Sequence, residues 1–330
     1  MSRLLALKTN IAWKIASLGQ LSILLEVSSP KPGNVSRLRR FSDTGYRHFL
    51  ASASLASRGL HIAASRGQEL ADGLITPDDV KIGSIIYECS KDVFSGLNQR
   101  NTIFGTVLLY MPLVIAAGAT ITSSHRFTPN DMSHWVQQIL DNTTSEDTVD
   151  LYKAFHLIHP GGQLNKEDAS WTEVHDRFDI DNPYVFDNIR EDNMTIQELF
   201  KMSAGVDPIC REWSEYYQDI ISRVFPYLDE AAKSLEDLEE GIVRTFIWQL
   251  SRFHDGLILK KVGAKRAEKV RTLAEKIVNN GMNGKETNDL MAHLDDELRR
   301  DGNLLNPGTT ADFVSAAIFC KLVAMEFGDI

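Results

Sequence analysis

The spacing of apolar residues predicts helices along almost the whole chain. In the first 28 residues the apolar positions recur every three or four residues, at Leu4, Leu7, Ile11, Ile15, Leu18 and Leu25. This spacing belongs to one face of an α-helix. The sequence contains no long alternation of apolar and polar residues and no glycine-rich βαβ turn. We therefore predict an all-α fold, a multi-helix globular bundle in a single domain over residues 1–330.

The most apolar stretch predicts the centre of this bundle. Residues 103–119 carry no charge, and we expect a helix over 102–119 to be buried. The stretch is slightly too short to span a bilayer comfortably and contains Pro112, so a core helix is favoured over a membrane helix. The small residues A-S-A-S-L-A-S at 51–57 predict that the second helix packs closely against a neighbour.

Later segments continue the helical period, with one interruption. Helices are expected at about 194–203, 208–222, 226–254 with a break near Gly241, 257–280, 285–300 and 313–327. Residues 160–193 are rich in Gly, Asn and Asp and show no clear period. Irregular segments of this length are often binding loops or lids, and disorder is the alternative. Four aromatic residues in the segment favour an ordered loop: Trp171, Phe178, Tyr184 and Phe186.

Composition narrows the class of protein. Apolar residues make up 43% and charged residues 24% of the chain, which is typical of a globular domain. A net charge of −10 argues against a general binder of nucleic acid or anionic membranes. Three widely separated cysteines indicate a reducing compartment and no structural zinc. With no signal-peptide pattern at the N-terminus, we expect a cytoplasmic location.

A loop between the first two helices concentrates positive charge in this acidic chain. Pro30, Pro32 and Gly33 end the first helix. Four basic residues lie within ten positions of this loop: Lys31, Arg37, Arg39 and Arg40. Such a cluster is typical of a site for an anion, most simply phosphate. The alternative is an ordinary connection between two helices, in which the arginines are simply solvated.

Three more polar segments lie at predicted helix ends. They are 98–105 (N-Q-R-N-T-I-F-G), 255–261 (D-G-L-I-L-K-K) and 306–312 (N-P-G-T-T-A-D). The free amides of a helix N-terminus can receive phosphate oxygens. Helix capping or a solvated helix face would explain each segment equally well. The chain has neither a P-loop nor a dinucleotide-binding fingerprint, so the common nucleotide folds are not supported.

Taken in order, the segments resemble the triphosphoribosyl-dephospho-CoA synthase family of the CitG and MdcB type. The matching runs are E-V-S-S-P-K-P-G-N-V, F-S-D-T followed by F-L-A-S, N-T-x-x-G, D-G-L-I-L-K-K and L-N-P-G-T-T-A-D-F. The resemblance implies an all-helical enzyme that moves the 5-triphosphoribosyl group of ATP to the 2′-hydroxyl of 3′-dephospho-CoA and releases adenine. It also implies ATP and a small-molecule acceptor as partners. We expect Mg²⁺ as cofactor, because a retained triphosphate needs its charge neutralised, and from the acidic composition we expect neither nucleic acid nor membrane as a partner. A homodimer is one of the oligomeric states left open.

Two departures from the family pattern leave the acceptor open. Citrate-lyase-type members carry Gly-x-His-x-Asp where this chain has residues 41–48, and N-T-H-K-G where it has N-T-I-F-G at 101–105. The chain looks more like the archaeal and methylotroph branch of the family. The alternatives are a related transferase with another acceptor, for example in pterin cofactor biosynthesis, and a non-catalytic nucleotide- or CoA-binding protein.

The implied chemistry assigns candidate residues. Cleavage of a ribosyl C–N bond passes through an oxocarbenium-like state that a carboxylate can stabilise. Asp43 is the candidate base and Glu26 the alternative. Asp255 and Asp312 are candidates for holding Mg²⁺. The candidate phosphate and substrate ligands are Lys31, Gly33, Asn34, Arg37, Asn101, Thr102, Lys260, Asn306, Gly308, Thr309 and Thr310. We expect the four segments to converge on one cleft.

Overall fold

The computed structural model describes residues 2–95, 100–160 and 172–328, and within them it contains helices and no strand. This confirms the predicted all-α class. The α-helices are α1 Ser2–Ser28, α2 Tyr46–Leu55, α3 Ser57–Ala71, α4 Ile82–Val93, α5 Phe104–Ser124, α6 Pro129–Asp141, α7 Ser145–Ile158, α8 Glu173–Arg177, α9 Val185–Glu191, α10 Ile196–Ser203, α11 Pro208–Ser214, α12 Phe225–Leu235, α13 Leu238–Arg252, α14 Gly256–Val262, α15 Ala264–Asn279, α16 Gly284–Arg299 and α17 Gly308–Phe327. A 3₁₀ turn, Pro77–Asp79, precedes α4, and a π-helical turn, Ile220–Val224, leads into α12.

Helix α5 lies at the centre of the bundle, as its apolar sequence predicts. Every residue from Thr106 to Ile121 is buried. Two segments, Ile11–Ser28 and Phe104–Ser124, are long and apolar enough to cross a membrane. The second of them is 94% buried inside the protein, which is the setting of a core helix.

Helices α3 and α5 pack with their backbones in close contact. A Cβ atom added at Gly67 would lie 1.9 Å from the carbonyl oxygen of Ile115. One added at Gly118 would lie 2.2 Å from the carbonyl oxygen of Ala64. Both distances are far below van der Waals contact, so this packing requires glycine at both positions.

Helices α1 and α17 pack on α5 and are joined to it by a buried hydrogen-bond chain. The Tyr110 hydroxyl lies 2.7 Å from Ser22 Oγ on α1 and 2.8 Å from Ser315 Oγ on α17. It also donates to the carbonyl oxygen of Ser315. Buried polar groups are tolerated when they are paired in this way, and the chain fixes the relative position of the three helices.

The segment predicted to be irregular, 160–193, falls partly outside the described residues, because 161–171 are not described. The described part contains two short helices, α8 and α9. The Tyr152 hydroxyl of α7 donates to the carbonyl oxygen of Phe178, which attaches this part to the bundle.

The loop after α1 is held in place by α16. Gly33 has a φ of +68°, and its amide donates to Asp295 Oδ1 at 2.7 Å. A Cβ on Gly33 would lie 2.4 Å from the side chain of Leu298, so both the backbone and the space require glycine. Arg299 donates to the carbonyl oxygen of Asn34. These contacts direct the loop towards the N-terminus of α17.

A candidate active site at four helix ends

Residues from all four polar segments line one cavity of about 400 Å³, which we call the central cavity. The sequence-predicted residues that line it are Glu26, Asn34, Asn101, Thr102, Lys260, Asn306, Gly308, Thr309 and Asp312. The amide of Asn34 donates to Asn306 Oδ1 at 2.9 Å, which joins the first segment to the last. Thr102 Oγ1 lies 2.5 Å from Ser52 Oγ, so its hydroxyl is already partnered within the protein. Residues 98 and 99 of the second segment lie outside the described residues.

Asp312 is positioned at the N-terminus of the central helix. Its Oδ1 accepts a hydrogen bond from the Thr106 hydroxyl in the first turn of α5. Its Oδ2 lies where a side chain on Gly105 would be, 2.1 Å from the position of an added Cβ. Burial raises the pKa of Asp312 well above its ordinary value, and the nearby carboxylates Glu26 and Asp255 raise it further.

Asp255 caps two helices and does not line the central cavity. Its Oδ1 accepts from the amides of Leu257 and Ile258 at the start of α14, each at 3.0 Å. Its Oδ2 accepts from the amide and the hydroxyl of Thr310, at 2.7 and 2.8 Å. Four hydrogen bonds occupy both oxygens. Asp255 and Thr310 are thus engaged in helix capping. Their predicted roles in binding metal and phosphate stay predictions.

Lys31 is buried behind Glu26 and does not line the cavity. Its side chain is fully inaccessible, and its ammonium group donates to the carbonyl oxygens of Glu26 and Ser29. It also lies 2.9 Å from Glu26 Oε1. Burial raises the pKa of Glu26 while the Lys31 ammonium lowers it. Lys31 thus orients Glu26 in this structure, and its predicted role as a phosphate ligand stays a prediction.

Asp207 is a cavity residue that the sequence reasoning missed. It caps α11 by accepting from the amides of Ile209 and Cys210, at 2.7 and 3.1 Å, and it forms an ion pair with Lys260. Lys260 is therefore already neutralised by a carboxylate. The run Asp207-Pro208 before an apolar segment is a helix-start signal that could have drawn attention to this position.

Lys261 is the second lysine of the cavity. Its ammonium group donates to the carbonyl oxygen of Asn303 at 2.9 Å and forms no ion pair with a described carboxylate, although the more distant charges of Asp255 and Asp43 act on it. Burial lowers its pKa. A neighbouring anion would stabilise this partly desolvated charge.

A second cavity, of about 580 Å³, lies along the loop after α1, and we call it the arginine pocket. It is lined by residues 36–48 and Arg100, and it meets the central cavity at Thr44. Arg37 is paired with Glu239, and Arg39 lies 2.8 Å from Asp295. Within the described part of the chain, three exposed arginines of the pocket form no ion pair: Arg40, Arg47 and Arg100.

Asp43, the predicted base, is exposed in the arginine pocket and does not line the central cavity. The structure therefore separates the two candidate bases, because Glu26 lines the central cavity. The other predicted phosphate ligand of the loop, Arg37, also lies in the arginine pocket, where Glu239 already partners it. Gly33 lines neither cavity, and its amide is used by Asp295.

A third cavity, of about 340 Å³, adjoins the central cavity, and we call it the aromatic cavity. Six residues line both: Phe155, Pro160, Phe200, Asp207, Cys210 and Lys260. The rest of its described wall comes from α7, His159 directly after it, α10 and residues 175–181.

The described residues 2–95, 100–160 and 172–328 contain no group of three or more His, Cys, Asp or Glu side chains that could hold a metal ion. Asp312 lines the central cavity and, among the described residues, forms no ion pair with a lysine or arginine. Since Mg²⁺ in nucleotide sites takes only one or two protein carboxylates and otherwise phosphate and water oxygens, this set is compatible with an ion bound together with a nucleotide.

Two comparisons with known proteins give matches. Residues 12–329 match the family model described as CitG, ATP:dephospho-CoA triphosphoribosyl transferase. A crystal structure of a protein from Archaeoglobus fulgidus, described as a triphosphoribosyl-dephospho-CoA synthase, has a similar fold. The TM-score is 0.57 at 23% sequence identity, over 83% of this chain and 98% of that one. A comparison with curated proteins gives no match.

Proposed function

Because the chain belongs to the ATP:dephospho-CoA triphosphoribosyl transferase family, we propose that its central cavity is where the ribose of ATP loses adenine and gains an acceptor oxygen. The observation that supports this most strongly is the meeting of all four polar segments in one cavity beside buried carboxylates. A cavity with a few converging polar groups and a carboxylate of shifted pKa is the usual form of an active site.

The reaction exchanges one bond at the ribose for another. The bond from C1′ to the adenine nitrogen breaks, and a bond from C1′ to the acceptor hydroxyl oxygen forms. The hydroxyl proton passes to a carboxylate, and adenine leaves with a proton on its ring nitrogen. The triphosphate stays on the transferred ribose, so the cavity must hold its charge without cleaving it.

We assign the base to Glu26. Burial raises the pKa of Glu26 above its ordinary value and the Lys31 ammonium opposes this rise, so the carboxylate is desolvated and more basic than a free one. An ionised, desolvated carboxylate can both accept the hydroxyl proton and stabilise an oxocarbenium-like ribose. Asp43 is the weaker candidate because it is exposed in the neighbouring pocket.

The triphosphate is assigned to the side of the cavity that faces the arginine pocket. Lys261 lies at this cavity without a carboxylate partner, and Arg40, Arg47 and Arg100 lie beyond Thr44. Guanidinium groups bind phosphate oxygens through paired hydrogen bonds, so this arrangement suits a polyphosphate chain. Asn306, Gly308 and Thr309 at the start of α17 supply further polar groups.

Mg²⁺ is assigned to Asp312. Burial and two neighbouring carboxylates make its negative charge costly, and a cation would offset that cost. When bound, the ion would neutralise part of the triphosphate charge. We expect Asp312→Ala to weaken ATP binding about tenfold more in the presence of Mg²⁺ than in its absence, because a carboxylate ligand acts through the ion. Isothermal calorimetry with and without Mg²⁺ measures this. An equal loss of affinity in both conditions would contradict the metal assignment and leave the hydrogen bond with Thr106 as the role of Asp312.

The assignment of the base is tested by a matched pair of variants. Glu26→Gln should lower kcat for adenine release by about 10²- to 10⁴-fold, the usual contribution of a positioned base. Asp43→Asn should change it by no more than about threefold, since it lies outside the central cavity. Thermal melting of both variants controls for loss of the fold, because Glu26→Gln leaves Lys31 without its charged partner. A large loss in Asp43→Asn with a small loss in Glu26→Gln would reverse the assignment.

The acceptor proposed first is 3′-dephospho-CoA, the acceptor named by the family. A different acceptor is the second candidate, because Ile103 and Phe104 are buried and offer no group to a phosphate. Measuring adenine release from ATP with 3′-dephospho-CoA and with pterin precursors separates the two.

We further propose a cytoplasmic location, which agrees with three free cysteines, Cys89, Cys210 and Cys320.

A further inference from the structure

The aromatic cavity has rigid, mostly apolar walls. Phe155 meets Tyr152 edge to face, with ring centroids 5.9 Å apart, and meets Phe104 in the same way at 5.5 Å. Phe200 lies edge-on to the buried Trp213 at 5.1 Å. Rings fixed by edge-to-face contacts keep their positions, so the cavity is preformed rather than shaped by its ligand.

Hydrogen bonds inside the protein also hold the polar groups of this wall. The Tyr152 hydroxyl is used by the carbonyl oxygen of Phe178, so the ring presents apolar surface to the cavity. The imidazole of His156 is fixed by Nε2, 2.8 Å from the carbonyl oxygen of Ile180. The same imidazole lies edge-on to Phe186 at 5.5 Å.

The wall suits a neutral ring better than a phosphate. Among the described residues that line the aromatic cavity, Lys260 is the one lysine or arginine, and its ammonium is paired with Asp207. The cavity is also lined by three histidines and two further carboxylates: His156, His159, His175, Asp179 and Asp181. Apolar rings together with these hydrogen-bonding groups fit a flat ring that carries its own donors and acceptors.

We propose that the aromatic cavity is the subsite for a flat, uncharged heteroaromatic ring of the purine class, which it places next to the reacting ribose. This inference rests on the proposed function, because the ring must join a ribose held in the central cavity. The two cavities share six lining residues, so a ring in one and a ribose in the other are within the span of one nucleoside. The arginine pocket takes the opposite, charged end of the same substrate.

The ring has two sources, since ATP and 3′-dephospho-CoA both contain adenine. Free adenine is therefore the probe for the subsite, because it carries the ring without phosphate or ribose. The steady-state KM values for ATP and for 3′-dephospho-CoA then distinguish the sources. The substrate whose KM rises when the cavity is filled is the one whose ring occupies it.

The first experiment needs no substitution. Cys210 lines the aromatic cavity and is half-buried, whereas Cys89 and Cys320 are completely buried. Alkylation of the native protein by a maleimide, followed by peptide mass spectrometry, therefore reports on a ligand at the wall that the aromatic cavity shares with the central cavity, and the second experiment assigns the ring to the aromatic cavity. We expect adenine at about ten times its dissociation constant to slow alkylation of Cys210 about tenfold.

The second experiment fills the cavity. Met202→Trp adds bulk to a half-buried residue that lines the aromatic cavity and not the central one. It should weaken adenine binding by at least about tenfold, or 1.4 kcal/mol, while inorganic triphosphate keeps its affinity. Met325→Trp, on the exposed face of α17, is the control for added tryptophan.

Alkylation of Cys210 at full rate in saturating adenine would overturn the proposal, as would an unchanged adenine affinity in a folded Met202→Trp protein. Failure of the proposed function has a different signature. In that case the unmodified protein would release no adenine from ATP with any acceptor, while adenine still protected Cys210.

Discussion

A single carboxylate, Asp255, holds the starts of two helices beside the central cavity. Its four hydrogen bonds join the first turn of α14 to the first turn of α17. It is 4% exposed, so each donor it satisfies would be left without water as a replacement. The residue thus fixes the distance between the segment that carries Lys260 and Lys261 and the segment that carries Asp312.

Asp255→Ala should lower the free energy of unfolding by about 2–4 kcal/mol, because a helix cap is worth about 1 kcal/mol and buried unpaired donors add to its loss. The loss should be the same with and without Mg²⁺. Urea unfolding followed by circular dichroism measures it. Asp237→Ala is the control: Asp237 caps α13 at the exposed amides of Glu239 and Glu240, and its loss should cost only about 1 kcal/mol. Equal losses in the two variants would contradict the account of Asp255.

Glu212 predicts a pH dependence of stability that is separate from the site. It is 1% exposed, and its Oε1 accepts from the amide of Ile220 at 2.7 Å. Burial, together with the nearby acids Asp219 and Glu215, raises its pKa from 4.5 to about 8. As the pH rises, the unfolded chain releases this proton near pH 4.5, whereas the folded protein keeps it until about pH 8. The free energy of unfolding therefore falls between these two pH values and does not fall further above them.

Glu212→Gln removes this titration. Its stability relative to the unmodified protein should rise between pH 5 and pH 8, by up to a few kcal/mol, since one unit of pKa difference is worth about 1.4 kcal/mol. Denaturant unfolding of both proteins at the two pH values measures the change. Glu215→Gln, an exposed neighbour, is the control. A constant difference between variant and parent across this range would contradict the prediction.

At the scale of elements, the contact between α3 and α5 depends on two glycines. Gly118→Ala would bring a methyl group into the carbonyl oxygen of Ala64, so the helices must move apart. We expect a loss of about 1–3 kcal/mol in the free energy of unfolding, the usual cost of overpacking a core. Gly205→Ala is the matched control, because an added Cβ there meets no atom within 4 Å. Thermal or chemical unfolding compares the two, and equal effects would refute the close packing.

Helix existence could be predicted from the sequence, whereas helix ends could be predicted only in part. The apolar residues located α1, α5 and α17, because α1 buries one face and α5 and α17 are buried on all sides along most of their length. The break expected near Gly241 lies a few residues earlier: α12 ends at Leu235, and Asp237 caps α13. Gly241 lies inside α13, where an added Cβ would be 2.9 Å from the backbone of Ala232 on α12. It serves helix packing, a tertiary role that local sequence does not reveal.

At the scale of the whole molecule, the sequence could predict which segments meet but not how their side chains point. The family resemblance is confirmed by the match over residues 12–329. Two lysines of the polar segments show what the sequence does not convey. Lys31, a predicted ligand, is buried against Glu26, whereas Lys261, which was not predicted, lines the central cavity. Burial distinguishes the two lysines, and burial depends on packing by residues distant in the chain.

The position of α17 has a consequence for how the protein is made. Residues from Phe313 to Val323 are all buried, and they cover faces of α1, α5 and α13. Since α17 follows these helices in chain order, they emerge from the ribosome before the element that covers them. The face of α5 that α17 covers is therefore exposed until the end of synthesis, and we expect the nascent chain to depend on chaperones until α17 is released.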